Sequence, residues 1–412
     1  MGILSRLKGP FEKRVSIDDP HYWPNIFGKL FGTQTLSNID VNFDKATTIT
    51  TVFACVTLLS EIVASLPLMV YRKRKDGGKD VADGHWAYEL LHDKPNEFQT
   101  SFEHREMYMG HLELTGNAFD FLVRNGNGQI IEIVPLDPGK VQATFEDNGP
   151  GKVKLSYQYK RDTADEITIP TKDIWHKRGM ALNRYFGVSR IEKAKEAMAL
   201  ALAAEGYGSK FFSNAARPSG ILKVAGKLNE DQEARLKRSW QDAQGGLEGA
   251  FKVALLQGDL DWKPISENNE KSQFFETREF QVQEIARLFR VPSVLIGHPD
   301  KTMTYASVEQ LVLAFKTFTI APIVIRLEQS MNHHILTEDD RKKGFFVQHK
   351  LENFVRADIA TRYQAYEIAR RNMWMSANEI RALENMDPIE GGDEFINPNT
   401  QSMGSGEDAL SE

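Results

Sequence analysis

Two stretches decide how this chain of 412 residues is read: VSRIEKAKEAMALALAAEGYGSKFFSN at 188–214 and QFFETREFQVQEIARLF at 273–289. In the first, Ile191, Ala194, Met198, Ala201, Leu202 and Tyr207 recur at helical steps, which predicts one long helix. Its alanines allow neighbouring helices to approach closely. Ser189 reads as its N-cap, and Pro218 and Gly220 end it. The second stretch reads as a helix stopped at Val291-Pro292. Between them lie a strand at Ile221–Val224, a helix at Asn229–Gln244, a Gly245-Gly246 break, and strands at Lys252–Leu256 and Trp262–Ile265. A small strand–helix–strand unit is thus carried between two helices, like an insertion on a stalk.

On the N-terminal side the pattern is mixed. Thr47–Ser65 reads as a helix on the spacing of Val52, Val56, Leu59 and Val63, ended by Pro67 and followed by a strand at Leu68–Lys73. Helices follow at Trp86–His92 and Ser101–Thr115, the second started by Ser101 with Glu103 and Glu106 in its first turns. The period then changes to two. Ala118–Arg124 and Ile130–Pro135 flank Asn125-Gly126-Asn127-Gly128 as a hairpin. Further strands are predicted at Val141–Phe145, Lys152–Tyr159, Glu166–Ile169 and Ile174–Lys177. The fold class is α+β.

On the C-terminal side, an irregular segment from Gly297 to Tyr305 precedes a long helix over Ser307–Leu336. That helix would reach roughly 40 Å, with a kink at Pro322. A strand at Phe345–Leu351, helices at Ala357–Arg371 and Ser376–Asn385, and a polar tail complete the chain.

Lys and Arg number 51 against 57 Asp and Glu, a net charge of −6. A general nucleic-acid coat would be basic, so any DNA contact must be local. The single cysteine, Cys55, excludes a disulfide scaffold and reads as a small buried hydrophobe. The apolar run Ile49–Tyr71 holds Glu61 and Pro67 and is read as a core helix followed by a strand, not a membrane span. The first residues match neither a signal peptide nor, with Arg6 at the key position, a myristoylation pattern. A soluble, cytoplasmic product without a membrane partner is expected.

The chemistry-bearing patterns are sparse. There is no Gly-x-x-x-x-Gly-Lys-Ser/Thr loop, so an ATP-driven motor within the chain is not expected. Gly206 and Gly208 lie inside a helix without the third glycine of a dinucleotide fingerprint. His333-His334 point two ways on a helix, whereas metal pairs need i,i+4 spacing. Asp259 and Asp261 alternate on a strand and could bind a metal, but exposed turn carboxylates explain them equally well. No cofactor and no metal are expected. An enzyme acting on nucleic acid or nucleotides survives only as an alternative with an unconventional site.

Several motifs in order resemble a known family. They are Phe211-Phe-Ser-Asn214 with Arg217-Pro-Ser-Gly220, Glu284-Ile-Ala-Arg-Leu-Phe-Arg-Val-Pro292, Thr304-Tyr305 with Glu309-Gln310, Arg356-Ala-Asp358 with Thr361-Arg362, Asn378-Glu-Ile-Arg381, and Gly391-Gly-Asp393. The set resembles the portal proteins of tailed bacteriophages, particularly of long-tailed (siphovirus) phages, over Thr47–Pro398. Two departures are Asn214-Ala215-Ala216 where the family often has Asn-Gly-Ala, and Ala306-Ser307-Val308 where it often has Ser-Asn ahead of the Glu.

The resemblance implies a portal fold with wing, stem, clip and crown regions in a ring, usually of twelve subunits, around a central channel. By it, 1–46 is a flexible arm, 47–187 the wing, 188–217 a stem helix, 218–268 the clip and 269–294 the second stem helix. It makes 295–306 the tunnel loop, 307–355 the long wing helix and returning strand, 356–398 the crown and 399–412 a flexible tail. His298, Lys301, Thr302, Met303, Thr304 and Tyr305 are then expected to face double-stranded DNA without reading its sequence. Arg235, Lys237, Arg238 and Trp240 are expected on the clip's partner surface. The implied partners are other copies of the chain, the large terminase, the major capsid protein or scaffold, and the head–tail adaptor. The implied location is the virion's portal vertex, after assembly in the host cytoplasm.

Overall fold

Apolar side chains at three- and four-residue spacing give the first helical layer. The chain was built as a computed structural model that describes residues 33–34, 40–147, 153–161, 165–182, 185–213, 220–224, 229–235, 238, 260–264, 269–298, 305–351, 359–384 and 386–395. It divides into two compact units, Met1–His349 and Lys350–Glu412.

In the first unit a short ribbon, β1 (Thr33–Gln34) and β2 (Asp40–Val41), leads into α1 (Phe43–Thr48) and α2 (Thr50–Ser65). The expected single helix from Thr47 is two helices, because Ile49 adopts an extended conformation between them. Cys55, Leu59 and Val63 on α2 are fully buried, and each Leu or Val so placed contributes about 1.5–3 kcal/mol. β3 (Leu68–Lys73) and β4 (Lys79–Val81) form a hairpin. Then come α3 (Trp86–Tyr88), which continues as a π-turn over Glu89–Asp93, and α4 (Ser101–Thr115). The N-cap of α4 is Thr100 and not Ser101. Thr100 and Glu103 form a reciprocal capping box, while the Ser101 hydroxyl donates to the Leu91 carbonyl at 2.6 Å.

The expected hairpin forms as β5 (Asn117–Arg124) and β6 (Ile130–Leu136). The Asn125 carboxamide oxygen accepts from the N–H groups of Asn127 and Gln129, each at 3.0 Å, and so closes the turn. β7 (Val141–Asp147), β8 (Val153–Lys160) and β9 (Glu166–Pro170) form an antiparallel meander, and β10 (Ile174–Arg178) returns to pair with β5. Phe119, Leu136, Val141, Tyr157, Ile169, Ile174 and Phe186 form one core beneath these strands.

At the exit from this region three glycines cross. Gly116 has φ 76°, Gly179 N–H donates to the Gly116 carbonyl at 2.8 Å, and a Cβ on Gly187 would strike that same carbonyl. Asn117 fastens the crossing, accepting from Gly187 N–H at 2.8 Å and donating to its carbonyl at 3.0 Å.

The long helix expected from Val188 is divided at Ala194 into α5 (Arg190–Lys193) and α6 (Lys195–Ser213). Ser189 is the N-cap as expected, accepting from Glu192 N–H at 3.1 Å. Next, β11 (Gly220–Val224) pairs antiparallel with β12 (Leu260–Pro264), and a helical turn, α7 (230–235), lies between them in sequence. The strand expected at Lys252–Leu256 lies outside the described residues. α8 (Asn269–Phe289) packs against α6 and α2.

The expected long helix from Ser307 is α9 (Tyr305–Phe315), a π-turn over Lys316–Ile320, and α10 (Ala321–His334). The irregularity expected at Pro322 is this π-turn, which ends just before the proline, where the ring removes a backbone N–H. Val308–His334 is long and apolar enough to cross a membrane by length and composition, and 28% of its most apolar window is buried inside the protein. α11 (Glu338–Lys342) and β13 (Phe345–His349) close the unit, with β13 pairing with β3.

The second unit has α12 (Ile359–Arg371) and α13 (Ala377–Leu383). They are tied by Glu384, which meets Arg362 at 2.7 Å and accepts from the Tyr366 hydroxyl at 2.9 Å.

Candidate functional site

Four elements of the first unit meet where α8 ends. Glu113, on the last turn of α4, is buried and meets Arg190 Nη1 at 2.6 Å. Arg190 stands there because Ser189 caps α5 and also donates to the Leu114 carbonyl at 2.7 Å. The Arg190 guanidinium reaches on to the Phe289 carbonyl at 3.2 Å and lies over the Phe289 ring. Burial raises the Glu113 pKa above its ordinary value, and the charges of Arg190, Arg326 and Arg290 offset that only in part. The next residue, Arg290, donates from its guanidinium to the Phe318 carbonyl in the π-turn. The Thr319 hydroxyl donates back to the Arg290 carbonyl at 2.9 Å. The start of α5, the end of α8 and the π-turn are therefore joined by polar contacts around one buried carboxylate.

A second charged node sits deeper. Asp120 on β5 and Lys177 on β10 are ion-paired with 0% and 1% of their side chains exposed, and His104 Nε2 lies 3.1 Å from the same carboxylate. Lys177 also lies over the rings of Trp175 and Tyr108. Burial would raise Asp120, but Lys177 and His104 together hold its carboxyl well below the usual carboxylate range. Burial pulls Lys177 down to about 8, and the charge and hydrogen bond of Asp120 oppose that shift. The cluster has the residue types of a catalytic site, but it is sealed from solvent, so no substrate reaches it.

Of the expected channel residues, His298 follows a left-handed Gly297 and its Nε2 lies 3.6 Å from Glu279 on α8. Tyr305 is the first residue of α9. Lys301, Thr302, Met303 and Thr304 lie outside the described residues, as do Lys237 and Trp240. Arg235 and Arg238 are helical and exposed. Asp261 stands on β12 opposite Lys223, Asp259 is outside the described residues, and the His333 and His334 rings lie edge to face. Among the described residues no three His, Cys, Asp or Glu side chains gather as metal ligands. Sequence reading missed Glu113, Arg190 and the side-chain role of Arg290. A usable signal was present: a proline within an apolar helix frees the carbonyl four residues earlier, and a donor must come from elsewhere.

The family model for phage portal proteins matches residues 50–385. The chain belongs to the phage portal protein family. It is 32% identical to the probable portal protein of Streptomyces phage phiC31 over 90% of this chain and 81% of that one. It is 29% identical to the portal protein of Enterobacteria phage HK97, covering 87% and 83%. Among solved structures, the neck of a native gene transfer agent particle, computed with C12 symmetry, contains a chain that is 25% identical. The match covers 82% of this chain and 91% of that one, with a TM-score of 0.57. The α+β architecture described above is thus a portal fold, and the family's role is structural.

Proposed function

We propose that twelve copies of this chain form a ring at one vertex of a phage capsid. DNA enters through its channel during packaging and leaves through it at ejection. The ring would dock the large terminase and later the head–tail adaptor, and would nucleate procapsid assembly with capsid protein or scaffold. In this reading the chain is a component of the virion, assembled in the host cytoplasm, and has no enzymatic activity of its own. Residues 47–187 and 307–355 are its wing, 188–217 and 269–294 its stem, 218–268 its clip and 356–398 its crown.

One observation carries the ring. Between Gln310 and Arg326, the exposed residues of α9, the π-turn and α10 are Leu313, Ala314, Thr317, Phe318, Pro322 and Ile325, none of them charged. Phe318 is 66% exposed and Leu313 56%. Leaving such a face in water forfeits about 25 cal/mol per Å², and DNA phosphates would gain nothing from it. A neighbouring copy offers apolar cover, and a head-to-tail contact repeated by rotation closes a ring. The C12 symmetry of the gene transfer agent neck is in keeping with twelve copies.

The test is sedimentation of the full chain and of Ile325→Asp. The wild type should run as twelve copies of a 46.7 kDa chain, and the variant as smaller species with its helix content intact. A wild-type dimer would sink the ring, and an Ile325→Asp ring would sink this face as its contact.

Lys301 is the residue proposed to touch DNA. One cation per copy gives a collar of weak contacts, each about 1 kcal/mol or less, which permits sliding. Lys301→Glu should lower packaging or retention of DNA, most of all at low salt. Normal retention of full-length DNA would remove Lys301 from the channel.

A further inference from the structure

Arg290 occupies a position that backbone geometry would give to glycine. Its φ is 60°, one of two positive values at non-glycine residues among the described ones. The end of α8 is a Schellman motif: Arg290 N–H donates to the Arg287 carbonyl at 3.0 Å and Val291 N–H to the Ala286 carbonyl at 2.9 Å. Glycine at the left-handed position of that motif avoids the Cβ penalty. Here the side chain reaches a carbonyl from which a proline has removed the ordinary α-helical donor. Pro322 has no N–H, so the Phe318 carbonyl lacks its α-helical donor. The Arg290 guanidinium supplies one. The return bond, from the Thr319 hydroxyl to the Arg290 carbonyl at 2.9 Å, makes the contact reciprocal. Thr319 is buried, whereas Phe318 presents its ring to solvent on the other side of the turn.

We propose that Arg290 is a positioning residue: it bolts the π-turn at Lys316–Ile320 to the end of α8 and so sets the register of α9 against α10. The π-turn holds an extra residue. Without the bolt, α9 reverts toward the α-helical register, turning by about 100° and advancing about 1.5 Å relative to α10. Every residue entering α9 is carried with it. The consequence for DNA rests on the channel reading given above; the consequence for α9 does not.

The experiment uses the full chain in its assembled form and two variants. Arg290→Gly keeps the left-handed backbone and removes only the side chain. Arg290→Gly/Pro322→Ala also returns an N–H to the Phe318 carbonyl. Amide exchange of 305–315 should be at least tenfold faster in Arg290→Gly, with 321–334 unchanged and the assembly mass unchanged. DNA packaged per particle should fall severalfold. In the double variant the thermal midpoint should recover, because the carbonyl is again satisfied, but packaging should stay low, because α9 is held in the wrong register. Unchanged exchange of 305–315 in Arg290→Gly overturns the bolt. Full recovery of packaging in the double variant overturns positioning and leaves Arg290 as a mere hydrogen-bond donor. If exchange and midpoint behave as stated while neither variant alters packaging, the bolt stands and the DNA reading of this region fails.

Discussion

Asp120 and Glu113 are both carboxylates sealed inside the first unit, and their surroundings push them in opposite directions. Asp120 faces Lys177, which is as buried as itself, and His104. In so dry a setting the attraction outweighs desolvation, and the carboxyl is held far down. Glu113 faces Arg190, whose side chain is 26% exposed. Water screens that attraction, desolvation prevails, and the carboxyl is raised. The first arrangement locks two strands of a sheet together. The second ties helices at the junction with a charge that is held loosely. The two nodes thus differ in how much charge attraction offsets burial: enough at β5 and β10, and only in part at the meeting point of α5, α8 and the π-turn.

The largest expected effect follows from breaking the tighter pair. Lys177→Met strands the Asp120 charge and should cost about 3–5 kcal/mol, measured by denaturant unfolding. Arg190→Met leaves Glu113 with Arg290 and Arg326 nearby and should cost about 1–2 kcal/mol. Equal losses would erase the distinction between the two nodes.

Acid should separate them next. The folded pKa of Asp120 lies below its ordinary 3.8, so the unfolded chain takes up protons first as pH falls. Its contribution is present above about pH 4 and is lost as pH drops through the folded value. Asp120→Asn should flatten the acid limb of a stability–pH curve. A curve of unchanged slope would mean that Lys177 and His104 do not hold the carboxylate as described.

How much of this was legible in the sequence differs by range. The β5–β6 hairpin was legible because Asn125-Gly126-Asn127-Gly128 carries its own turn chemistry. The strand at Phe345–His349 was legible from its composition, but its pairing with Leu68–Lys73 was not, since nothing local specifies a partner so remote. One-residue breaks at Ile49 and Ala194 escaped because apolar periodicity runs through them undisturbed. Ser101 passed for the cap because both it and Thr100 can accept the bond, and only the side chain's other contact decides between them. At the junction, Arg290 was noticed as part of a motif and Pro322 as a kink. Their connection is a contact across the fold, which spacing along the chain does not encode.

The smallest expected effect is the sharpest test of the comparison. Glu113→Gln keeps the shape of the side chain and removes the charge that burial already disfavours. At pH 7 it should change stability by about 1 kcal/mol or less, because an amide oxygen can still accept from Arg190. The sign with pH is opposite to that of Asp120. A raised folded pKa means that the folded chain keeps a proton where the unfolded chain has lost it. The contribution of Glu113 is therefore full below its ordinary 4.5 and declines as pH rises through the folded value. Measured against Glu113→Gln, the wild type should fare best in mild acid and lose ground toward neutrality. Should Glu113→Gln instead cost as much as Lys177→Met, and the gap widen in acid, the junction would be locked as firmly as the sheet. The contrast between the two carboxylates would then be one of position only.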